Sequence, residues 1–89
     1  MNYFLENIIE KIIIEKVREI VSRDDEIVNS EKNILDICAL ALNNLPAKYV
    51  VTVKGEAYTK LEFLKIQYKV DIITEIIKAM EIVKKNPRD

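Results

Sequence analysis

Histidine and tryptophan are absent from this chain of 89 residues, cysteine and glycine occur once each, and proline occurs twice. Without histidine the commonest general base of enzyme chemistry is missing. Cys38, standing alone, can build neither an internal disulfide nor a tetrahedral zinc site from one copy. A single glycine excludes the glycine-rich loop that cradles phosphates in nucleotide-hydrolysing enzymes. No run approaches the ~20 consecutive apolar residues needed to span a bilayer, and the opening residues lack the basic, apolar, small-residue pattern of a secretory leader. These absences lead us to expect a non-enzymatic protein of the reducing cytoplasm, with no metal and no membrane segment.

What is present is apolar and helix-compatible. Hydrophobic residues make up 49% of the chain and fifteen of them are isoleucine, a composition that packs rather than one that stays disordered. A chain this short stabilises one modest core, so residues 1–89 read as a single domain. Fourteen basic residues against fifteen acidic ones give a net charge of -1, which leaves no electrostatic footprint for duplex nucleic acid. The balance is uneven along the chain. Residues 1–45 carry five basic and nine acidic groups, whereas residues 46–69 carry five and two.

The hydrophobic period predicts a mainly α fold with three main helices. The first, over residues 2–22, follows from Leu5, Ile8, Ile9, Ile12, Ile13, Val17, Ile20 and Val21. The polar string Ser22, Arg23, Asp24, Asp25 then breaks the period and reads as a connection. Ser30 can cap a second helix over residues 31–44, buried through Ile34, Leu35, Ile37, Cys38, Leu40, Ala41, Leu42 and Leu45, and Pro46 follows its end. Residues 46–59 are of another kind. Tyr49, Val50, Val51, Thr52 and Val53 favour an extended backbone, and Lys54, Gly55 and Glu56 favour a turn, so this segment reads as a small hairpin or extended arm. Thr59 with Glu62 forms the capping-box pattern of a third helix over residues 60–85. At ~1.5 Å per residue that helix is longer than so small a globule can wrap, so its apolar flank predicts an intertwined homodimer.

Among candidate chemical groups, Cys38 sits within an apolar run and reads as a buried, inert thiol. Asp24, Asp25 and Glu26 lack the alternating spacing of a calcium loop and read as a solvated acidic turn. Residues 46–69 are more informative, because Lys48, Lys54, Lys60, Lys65 and Lys69 coincide there with Tyr49, Tyr58 and Tyr68. Ammonium groups neutralise phosphate and aromatic faces stack on bases, which is the pairing that a nucleotide groove uses. The plainer alternative makes Tyr68 core, Tyr58 a helix staple and the lysines solvated.

Five short motifs occur in order: Leu45-Pro46-x-Lys48-Tyr49-Val50; Tyr58-x-Lys60-Leu61; Gln67-x-x-x-Asp71-Ile72; Lys78-Ala79-x-Glu81-x-Val83; and Asn86-Pro87-Arg88. Together they resemble the late-competence ComFB family over residues 33–88. The resemblance implies a compact helical protein that dimerises, is encoded in some bacteria beside the machinery for taking up DNA, is linked to competence or surface-motility regulation, and serves as a receptor for cyclic di-GMP. Relatives with clustered cysteines hold zinc. This chain, with Cys38 alone, departs from that pattern, and zinc is not expected.

Residue chemistry then assigns Lys48, Lys54 and Lys60 to phosphate, Tyr49 or Tyr58 to stacking, and Glu56 or Gln67 to the guanine edge. The competing expectation is a structural adaptor that contacts a protein partner and no nucleotide.

Overall fold

A computed structural model of the chain describes residues 2–53 and 57–85, the side chains of residues 52 and 57–61 excepted. Two short strands and four helices follow one another: β1 (Tyr3–Asn7), α1 (Ile8–Val21), α2 (Glu31–Leu42), β2 (Tyr49–Val53), α3 (Ala57–Gln67) and α4 (Lys69–Lys85). The expectation of a mainly helical protein holds. None of the described helices is long and apolar enough to cross a membrane.

The first helix begins six residues later than its period predicts. Residues 3–7 form β1, which pairs antiparallel with β2 in the register Tyr3 with Val53, Leu5 with Val51 and Asn7 with Tyr49. Leu5 fits the helical period of the isoleucines that follow it, yet it is 73% exposed. The β-branched run of β2 needs a ladder partner, and β1 supplies one from more than 40 residues away. Long-range pairing therefore overrides the local period. Asn7 makes the change of direction possible. Its side-chain oxygen accepts the Lys48 N–H at 3.0 Å, and the next residue's N–H, that of Ile8, donates to the Lys48 carbonyl at 2.9 Å. The extended segment thus pairs within one chain. The expected turn at Lys54, Gly55 and Glu56 lies outside the described residues.

α2 matches its expectation to within two residues. The Ser30 side chain accepts the Asn33 N–H at 3.2 Å, satisfying one of the orphan donors of the first turn. At the other end the Asn43 N–H reaches the Ala39 carbonyl before Pro46 intervenes. Between α1 and α2, Asp24 organises the connection. Its carboxylate accepts the Glu26 N–H at 2.8 Å and meets Lys84 at 3.3 Å. These contacts hold the carboxyl below its ordinary pKa, the backbone hydrogen bond contributing most.

The long third helix is two helices. It opens at Ala57 rather than after Thr59, so residues 57–59 are helical and the capping-box threonine lies inside the first turn. Ala57 is a strong helix former, and the helix propagates back through it. Tyr68 then interrupts the rod in a turn between α3 and α4. Neither proline nor glycine stands there. The interruption arises from packing: α3 lies on α1, whereas α4 lies chiefly on α2, and one straight rod could not follow both. Hydrogen bonds of helical spacing continue across the break, from Tyr68 N–H to the Leu64 carbonyl and from Ile72 N–H to the Tyr68 carbonyl.

The core is aliphatic. Ile12, Ile13, Val17 and Val21 of α1 meet Ile34, Ile37, Cys38 and Ala41 of α2 and Ile72, Ile76, Ala79, Met80 and Val83 of α4, with Leu64 the buried anchor of α3. Ala41 and Ala79, nearly inaccessible, let α2 and α4 approach closely. Cys38 is buried as the sequence predicts, and burial pushes its thiol pKa up, away from the reactive thiolate.

Candidate functional site

The basic and aromatic residues of the central segment come from three places in the fold, and one of their pairings is direct. The Lys48 ammonium lies over the Tyr68 ring, 5.8 Å from its centroid. This distance is within the range of a cation–π contact. The pairing is built from the backbone outward: the N–H and carbonyl of Lys48 are held by Asn7 and Ile8 where α1 begins, which leaves its side chain to project from the mouth of β2. Tyr68 is half-buried against the core at the α3–α4 break. Gln67 and Lys69, its neighbours in sequence, are both exposed.

Tyr49 follows Lys48 and is 66% exposed. By strand alternation it lies on the ribbon face that also carries Tyr3, Leu5 and Val51. Among the expected site residues, then, Lys48 meets the segment that carries Gln67, and Tyr49 stands beside Lys48 in the chain. Lys54 and Glu56 lie outside the described residues. Tyr58 and Lys60 fall on the first turns of α3, where the backbone alone is described.

Sequence reasoning did not pair Tyr68 with Lys48, although Tyr68 belonged to the cluster it singled out. The two stand 20 positions apart in the chain, and the fold brings them together. It also missed a groove of about 210 Å³ between α1 and the α3–α4 break, lined by Ile12, Ile66, Ile72 and Ile73 and by charged side chains that include Lys65 and Lys69. The two lysines differ. Lys65 bonds Glu15 at 2.5 Å and Glu62 at 3.4 Å, and Glu15 above all raises its pKa. Its charge is committed within the chain. Among the described residues no carboxylate pairs with Lys69 or Lys48, so neither ammonium group is committed to an ion pair there.

Among the described residues no three of Cys, Asp and Glu gather as metal ligands, and no buried side-chain polar atom lacks a hydrogen-bond partner. The arrangement can hold an anion with a flat polar group.

Comparison with curated proteins and with solved structures finds no match in either set. Comparison with family models is decisive, because the model described as late competence development protein ComFB matches residues 6–87, from the salt-bridged end of β1 to beyond α4 and through Lys48, Tyr49, Gln67 and Tyr68. The chain belongs to the ComFB family.

Proposed function

We propose that this ComFB-family protein is a non-enzymatic regulatory module that binds cyclic di-GMP and serves competence or surface motility. The family's description supports the link to competence. The observation that carries the ligand reading is the cation–π pair of Lys48 and Tyr68, with Gln67 and Lys69, the neighbours of Tyr68 in sequence, both exposed. Cyclic di-GMP carries two phosphates and two guanines. Lys48 and Lys69 supply the phosphate charge, the exposed ring of Tyr49 a stacking face, and the Gln67 amide both a donor and an acceptor for a guanine edge. Lys54, Glu56, Tyr58 and Lys60 complete the proposed set from the sequence.

The groove beside Lys69 is smaller than the roughly 300 Å³ at which sites enclosing a drug-sized ligand begin. A dinucleotide therefore lies across the surface from Lys48 to the groove instead of inside a closed cavity. Such a ligand would tie β2 to the α3–α4 break and fix the angle between the two helices. The signal passed to a protein partner is then the changed surface of α3.

Isothermal calorimetry of the purified chain with cyclic di-GMP at about 100 μM tests this reading. Saturable heat and a raised melting temperature are expected, with linear di-GMP binding more weakly. Absence of both heat and thermal shift would leave the structural adaptor, which binds its protein partner with or without nucleotide.

A further inference from the structure

We propose that the groove between α1 and the α3–α4 break is a binding site for a small aliphatic monocarboxylate, its tail against the isoleucines and its anion on Lys69. Three elements converge to make it. α1 contributes Ile12, Glu15, Lys16 and Glu19, which recur at intervals of three and four and so share one helical face. α3 contributes Lys65 and Ile66 before the break, and α4 contributes Lys69, Ile72 and Ile73 after it.

The lining specifies the tail. Four of its nine residues are isoleucine, and none is aromatic or carries a hydroxyl or amide side chain. It offers no ring to stack on a base and no neutral side-chain donor for a sugar, so a nucleotide lying nearby meets the groove only through Lys69. A dry apolar cavity of ~150 Å³ holds benzene, and a groove of about 210 Å³ therefore takes an aliphatic body of roughly seven or eight carbons. Ile66 is 80% exposed, so a hydrocarbon laid on it removes apolar surface from water that the free protein leaves wet.

The charges specify the head. Three ammonium groups and two carboxylates line the groove, an excess of one positive charge. Lys65 is bonded to Glu15 at 2.5 Å, and Lys16 pairs with Glu19 at 3.6 Å. Lys69 is exposed, and among the described residues no ion pair engages it. One uncommitted ammonium group beside an apolar hollow complements a single anion carried on a hydrocarbon. A dicarboxylate would set its second charge against Glu15 or Glu19, and an alkylammonium ion would meet Lys69 with like charge. The inference stands apart from the nucleotide reading, which rests on Lys48 and Tyr68.

Calorimetry of the unmodified chain with octanoate at about 1 mM, in the absence of any nucleotide, tests the assignment together with nuclear Overhauser spectra of the mixture. Saturable binding is expected, with cross-peaks from the octanoate chain to the methyl groups of Ile12, Ile66 and Ile73. Affinity should rise by about twofold to fourfold per methylene from butanoate to octanoate and then level off, while octylammonium gives no heat. Lys69→Gln should weaken octanoate by about threefold to tenfold. Ile66→Asp should abolish binding and keep the helical circular dichroism spectrum, because the side chain it replaces is exposed. Lys78→Gln, which removes a lysine paired with Glu75 outside the groove, should leave the affinity unchanged. No binding of octanoate, equal binding of octylammonium, or cross-peaks to residues away from the groove would overturn the proposal.

Discussion

Replacing Ile76 by alanine destabilises the fold by about 2–5 kcal/mol, measured as a fall in the urea midpoint at unchanged slope. Ile76 is fully buried on α4, in the aliphatic core where α4 lies against α2, and truncation leaves a cavity that close-packed helices only partly fill. A domain of this length has a total stability of roughly 4–13 kcal/mol, so this one change removes a large share of it. The neighbouring residue supplies the control. Ile77 has the same side chain one position on and is 52% exposed, and Ile77→Ala costs less than about 1 kcal/mol. Equal losses at the two positions would contradict the placement of α4.

Reversing the charge at Lys48 has its large effect on the ligand instead of the fold. Lys48→Glu removes an ammonium group available for phosphate and puts a carboxylate in its place. Cyclic di-GMP binding then weakens by roughly 10- to 100-fold, since charge-assisted hydrogen bonds contribute about 1.5–3 kcal/mol and each 1.4 kcal/mol is tenfold. The structural role of Lys48 lies in its backbone, which bonds Asn7 and Ile8 whatever the side chain. Loss of the contact with Tyr68 therefore costs no more than about 1 kcal/mol of stability. Lys84→Glu is the matching control for charge, because Lys84 is engaged with Asp24 and Glu81, away from the β2 and α3–α4 junction. That change disturbs stability through Asp24 and leaves ligand affinity where it was.

The core was the most legible part of the sequence. Ile12, Ile13, Val17, Ile34, Ile37, Ile72 and Ile76 recur at helical spacing and are buried where that spacing puts them. α2 was legible at both ends, because Ser30 and Pro46 act through local sterics and hydrogen bonds. β1 was hidden for the converse reason. Leu5 satisfies a helical period, and the partner that makes its neighbourhood a strand lies at Tyr49–Val53, which no local rule connects to it. The α3–α4 break was hidden because no proline or glycine marks Tyr68. Only the competing surfaces of α1 and α2 require the bend.

The candidate site was legible as a segment and not as a geometry. Clustering of lysine and tyrosine over residues 46–69 picked out the stretch of chain in which Lys48 and Tyr68 meet. Which lysines stay available depended on the fold, since Lys65 is neutralised by Glu15 from α1, 50 residues earlier, while Lys48 and Lys69 find no carboxylate among the described residues. Tyr68, expected as core in the plainer reading, is half-buried and still presents its ring to Lys48, so one side chain both packs against the core and meets the cation.

The most direct test is a nuclear magnetic resonance titration of the labelled protein with cyclic di-GMP, following every backbone amide. Binding at the junction of β2 with the α3–α4 break predicts the largest shifts at Lys48, Tyr49, Gln67, Tyr68 and Lys69, with the α2 amides around Cys38 undisturbed. A spectrum that stays still at saturating nucleotide, or whose changes fall on α2 and the Asp24 connection, would contradict the account.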